Sequence, residues 1–121
     1  MDQLVNIYRI LSDETRLRII ILLAQKELCV CEISHILAVS QPTVSKNLSK
    51  LRDMNLVSTE RKEKFVFYKL KTENAILKRT VEVILDSLDD YPQLIIDKNK
   101  EADHKRILNQ CGIEQNKYIS R

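Results

Sequence analysis

The chain has 121 residues, a length that fits one domain able to bury roughly two thirds of its unfolded surface without disulfide staples. No run approaches 18 consecutive apolar residues, and the N-terminal MDQLVNIYR lacks the basic start and cleavage site of a signal peptide, so the expectation is a cytoplasmic chain with no membrane contact. One glycine and two prolines point to a mostly helical fold, and the net charge of +3 is unevenly spread: residues 46–71 carry eight Lys and Arg against three Asp and Glu, whereas residues 73–121 carry eight against nine.

Residues 2–10 place Leu4, Ile7 and Tyr8, with Leu11 next, at helical spacing. Ser12 and Asp13 then supply N-cap chemistry for a second, largely buried helix through DETRLRIIILLAQ, with Glu14 in its first turn and Leu17, Ile20, Ile21, Leu23 and Ala24 facing the core. A short extended piece, LCV, precedes a third helix over about 31–37. After the AVS turn Ser40 caps a fourth helix, QPTVSKNLSKLRDM, whose Pro42 falls in the first turn, where a missing N–H costs nothing.

In that helix Val44, Leu48 and Leu51 form an inward stripe at i, i+4 and i+7, leaving Thr43, Lys46 and Lys50 on a polar, basic face. Two β-prone segments, NLVSTE and FVFYKL, flank RKEK and read as a hairpin whose tip carries Arg61, Lys62 and Lys64. A long amphipathic helix is expected over 73–90, from Leu77, Val81, Ile84, Leu85 and Leu88, and a last helix over about 93–110, terminated by Gly112.

Two short helices joined by a tight turn, the second polar outward, make a helix-turn-helix, and the basic hairpin behind it makes a winged one. A major groove admits one helix, Gln, Asn, Ser and Thr can hydrogen-bond base edges, and lysines meet phosphates, so double-stranded DNA is the expected partner. No nucleophile with a base, no phosphate-cradling glycine loop and no acid pair suggests an enzyme.

The segments LSDETRLRIIILL, ELCVCEI, VSQPTVSKNLSKLRDMNLV and FYKL occur in the order and spacing of the ArsR/SmtB family, which this chain resembles over roughly residues 4–90. The resemblance implies a mostly α, homodimeric winged helix-turn-helix repressor with a small β-hairpin wing, residues 1–90 forming the DNA-binding and dimerisation domain; residues 91–121, beyond it, read as a C-terminal helix and tail of the same domain. It implies that Gln41, Thr43, Ser45, Lys46 and Asn47 read the groove, with Ser40 and Lys50 completing that surface and Arg61, Lys62 and Lys64 reaching phosphates from the wing. Lys46 and Asn47 replace an Arg and a His often found there. The helices near 2–11 and 73–90 resemble the family's dimer interface.

ELCVC resembles the inducer motif of the arsenic-responsive members, in which cysteines at a C-x-C-x-x-C spacing bind trivalent arsenic or antimony. Cys29 and Cys31 match, Ser34 stands at the third position, and Cys111 is a candidate third thiolate. Soft thiolates suit a soft ion, and the helix start just after Cys29 is expected to lower thiol pKa. An i, i+2 pair diverges on a regular helix, so joint ligation needs an extended first turn. His35 and His104 do not reproduce the family's zinc and cadmium site, because 73–90 contains no histidine. Two alternatives stand beside the metalloid sensor: a repressor of the same fold whose thiols sense oxidation or reactive sulfur, and a winged-helix scaffold for protein contacts.

Overall fold

A computed structural model describes residues 2–103 of the chain. At its centre lies α2 (Glu14–Gln25), where five consecutive side chains, Ile19 to Leu23, are buried, so over that stretch the helix is enclosed on all sides rather than along one stripe. The Asp13 carboxylate caps it, accepting from the Arg16 N–H at 3.0 Å. Helix α1 (Asp2–Leu11) rests on α2 through Ile7 and Ile10, while Leu4, Val5 and Tyr8 are exposed.

The extended piece is shorter than LCV: β1 (Leu28–Cys29) gives way to α3 (Val30–Leu37), one residue earlier than expected. Strand β1 pairs antiparallel with β3 (Phe65–Leu70), Cys29 opposite Phe67, and β3 pairs in turn with β2 (Val57–Lys62), giving a sheet of order β1-β3-β2. Helix α3 ends at Ala38, which takes the left-handed conformation (φ 56°, ψ 43°) at about 1–2 kcal/mol for a residue with a Cβ. The Val39 N–H closes on the Ser34 carbonyl at 3.2 Å, and the Ser34 hydroxyl donates to the Val39 carbonyl at 2.5 Å. That turn delivers α4 (Gln41–Asp53), capped by Ser40 with Pro42 in its first turn, as its sequence indicated.

The long helix expected over 73–90 is α5 (Ala75–Asp86), capped by the Asn74 side chain and followed by a 3₁₀ turn at Leu88–Asp90. Ser87, two aspartates and Tyr91 ahead of a proline are poor helix formers, so the α geometry tightens and stops although Leu88 stays buried. Helix α6 (Pro92–Ala102) begins at its proline and lays Leu94 against the core. Gly112 and the expected extension to residue 110 lie outside the described residues. Among the described residues no helix is long and apolar enough to cross a membrane.

Candidate nucleic-acid interface and thiol site

Three leucine-like positions orient α4. Val44, Leu48 and Leu51 are fully buried, which turns Gln41, Thr43, Ser45, Lys46, Ser49 and Lys50 outward. Ser40 is exposed, its hydroxyl donating to Thr43 Oγ1 at 2.9 Å and accepting the Thr43 N–H. Hydroxyls, an amide and two ammonium groups therefore share one accessible helix face.

Asn47 departs from its expected place. It is only 7% exposed, its amide donates to the Thr43 carbonyl at 3.0 Å, and its Oδ1 accepts from Arg16 Nη1 at 3.4 Å. Position 47 shares the i, i+3, i+4, i+7 row with 44, 48 and 51, so it belongs to the packed side and ties α4 to α2 instead of reaching a base edge.

The wing is also rearranged. Strand β2 runs through Arg61 and Lys62, so the turn is only Glu63 and Lys64, and Glu63 adopts φ 57° where glycine or asparagine would be less strained. Arg61 and Lys64 are exposed, but Lys62 turns inward, its Nζ 3.2 Å from a Glu27 carboxylate oxygen and 5.2 Å from the centre of the Phe67 ring. The exposed cations at the tip are thus Arg61 and Lys64, with Lys62 tying the wing to the segment before the cysteines.

Cys29 ends β1 and serves as the N-cap of α3 in an extended conformation (φ −94°, ψ 169°), while Cys31 lies in the first turn of that helix. The two cysteines therefore straddle a strand-to-helix join rather than sitting two apart on a regular helix. Cys29 is 2% exposed and packs with Phe67, with Cys31 and Phe65 alongside. Its N–H donates to Glu32 Oε1 at 3.0 Å, the reciprocal half of a capping box, and Glu32 is itself fully buried.

The expected lowering of the Cys29 pKa is overturned: burial, reinforced by the negative charge of Glu32, pushes the thiol up to about 12. Desolvation outweighs the helix N-terminus here because the cap position faces Phe67 instead of solvent. Cys29 is a free thiol, and Cys111 lies outside the described residues. Ser34, at the position of a third thiolate, spends its hydroxyl on the turn into α4. His35 is exposed, and among the described residues no cluster of three or more His, Cys, Asp or Glu could hold a metal ion.

Sequence reasoning missed the two arginines of α2. Arg16 donates from Nε to the Ile10 carbonyl and from Nη1 to Asn47 Oδ1, and Arg18 forms a largely buried pair with Asp97. Their only local signal is a pair of cations inside the apolar run RLRIIILL. Ile76 and Val83 of α5 are exposed, as are Leu4, Val5 and Tyr8 of α1.

Residues 13–59 match the family described as bacterial regulatory protein, arsR family. The arsenic resistance transcriptional regulator ArsR1 of Pseudomonas putida is 39% identical over 82 residues, 63% of this chain and 64% of that protein. The arsenical resistance operon repressor of Escherichia coli is 42% identical over 67 residues, 54% of this chain and 57% of the repressor. The chain thus spans less than two thirds of the length of these curated relatives. The structure of reduced HlyU from Vibrio cholerae superposes with a TM-score of 0.63 at 32% identity, covering 69% of this chain and 85% of that one. With the capped α4, the three-stranded wing and these matches in hand, the chain belongs to the ArsR/SmtB family of winged helix-turn-helix regulators.

Proposed function

We propose that this protein is a homodimeric, DNA-binding transcriptional repressor that leaves its operator when trivalent arsenic or antimony binds at Cys29 and Cys31. The observation that carries the DNA reading is the outward face of α4, where Gln41, Thr43, Ser45, Lys46 and Lys50 are exposed over a fully buried Val44, Leu48 and Leu51. Ser40 at its cap and Arg61 and Lys64 on the wing extend that face toward phosphates. The exposed apolar residues of α1 and α5 are the surface a second copy would cover.

The high pKa of Cys29 favours the metalloid over a divalent cation. A zinc site must expel thiol protons, which grows harder as the pKa rises. Arsenous acid, As(OH)₃, condenses with two thiols instead: each S–H proton leaves with an arsenic hydroxyl as water, two As–S bonds replace two As–O bonds, and no oxidation state changes. The third position on arsenic keeps its hydroxyl or takes Cys111. Seating arsenic across the join between β1 and α3 would pull on both neighbours of the site, the wing through the Cys29 and Phe67 pairing and α4 through α3.

The alternative reading keeps the DNA function and makes the thiols sensors of oxidation or reactive sulfur. Arsenite titration of the protein by ultraviolet absorbance, before and after anaerobic reduction, separates the two. Sulfur-to-arsenic absorbance saturating at one arsenic per subunit in the reduced protein, and lost in Cys29→Ser and Cys31→Ser, supports the metalloid site; Cys111→Ser reports on the third position. No absorbance change in the reduced protein removes the metalloid and leaves oxidation as the signal.

A further inference from the structure

Arg18 lies midway along α2 and contacts two other elements at once. Its Nε donates to Asp97 Oδ2 at 3.0 Å and its Nη2 to Asp97 Oδ1 at 2.9 Å, a fork-on-fork pair between residues 79 apart in sequence. The other proton of Nη2 goes to the Leu37 carbonyl at 3.1 Å. Gln93, one turn before Asp97 on α6, donates to Asp97 Oδ1 at 3.0 Å and fixes the carboxylate from its own side. The arginine and aspartate side chains are 13% and 4% exposed.

Leu37 is the last residue of α3, so its carbonyl has no N–H partner within the helix, and at 2% exposure the residue is closed to water. The Arg18 guanidinium supplies that partner from another helix and places a cation at the negative end of α3. The next residue is Ala38, the left-handed joint from which α4 departs, and the Ser34 hydroxyl holds the far side of the same joint. The turn that aims α4 is therefore gripped by Ser34 from within and by Arg18 from outside.

We propose that Arg18 and Asp97 are positioning residues for DNA reading: α6, through Asp97, holds the Arg18 guanidinium on the Leu37 carbonyl and so sets the direction in which α4 meets the groove. The inference rests on the DNA-binding function proposed above and extends it to a helix beyond the residues 13–59 that match the family. A buried ion pair contributes little more stability than a well-packed apolar pair of similar volume, whereas it is directional where the apolar pair is not. Replacing it should spare the fold and loosen the aim.

The test compares wild type with the paired variant Arg18→Met/Asp97→Leu by fluorescence anisotropy, on an operator selected from random duplexes and on an unrelated duplex. Phosphate contacts persist in the variant, so affinity for the unrelated duplex and its salt slope stay at the wild-type value. Affinity for the selected operator falls roughly tenfold, narrowing the specific-to-nonspecific ratio, and amide exchange at Val39 quickens. Should the paired variant not fold, Asp97→Asn, of the same shape, is measured instead with the same expectation. Operator affinity within twofold of wild type in the folded variant overturns the inference. Failure of wild type to bind any duplex in a salt-dependent way overturns the DNA reading itself, before any variant is compared.

Discussion

With Cys31 and Cys111 changed to serine, Cys29 is the single thiol of the chain, and its surroundings become readable from its chemistry. A thiol at about 12 rather than 9.0 is ionised at pH 8 in about one molecule in ten thousand instead of about one in ten. Only the thiolate is alkylated, so iodoacetamide should react with the folded variant roughly a thousandfold more slowly than with the same chain in urea. The same shift has a thermodynamic face. The folded state holds the Cys29 proton more tightly than the unfolded one, so this contribution is intact below pH 9 and is lost as pH rises toward 12, at about 1.4 kcal/mol per unit. Urea melts of the single-thiol variant and of its Cys29→Ala counterpart should therefore converge in stability as pH climbs through that window. Alkylation within tenfold of the unfolded rate, or a stability difference independent of pH, would refute a thiol held neutral by burial against Phe67 and Glu32.

Leu48→Ala, at a fully buried position of α4, should lower stability by about 2–5 kcal/mol in a urea melt. Lys46→Ala and Lys50→Ala should each reduce the slope of log K against log salt by about 0.9 for duplex DNA while leaving the melting temperature near wild type. Val83→Asp, on the exposed apolar face of α5, should convert the dimer to monomer in sedimentation velocity at micromolar concentration without unfolding it. A retained dimer would place the subunit contact elsewhere.

The fourth helix was legible because its signals are local. Ser40, Pro42 and the stripe of Val44, Leu48 and Leu51 all act within a few residues, and the fold class follows from the helix, turn and hairpin they introduce. Asn47 was misread because chemistry was weighed above position, although its place in the row of 44, 48 and 51 marked it as packed. The hairpin tip shifted because no Asn-Gly announces a two-residue turn, and Glu63 takes the strained position that glycine would have flagged. The state of Cys29 was out of reach: its burial comes from pairing with Phe67, 38 positions away, and only that contact decides whether desolvation or the helix start governs the thiol. Arg18 and Asp97 were hidden for the same reason, each being an ordinary charged residue until the fold brings α6 onto α2.

The most direct test of the account is the affinity of the reduced protein for its selected operator, followed by anisotropy with and without arsenite and repeated in Cys29→Ser/Cys31→Ser. The account predicts binding that weakens steeply with salt, a loss of roughly 5- to 150-fold on adding arsenite, and no such loss in the double variant. Binding that arsenite leaves unchanged in the reduced wild type would contradict the metalloid switch, and absence of salt-dependent binding would contradict the DNA-reading face of α4.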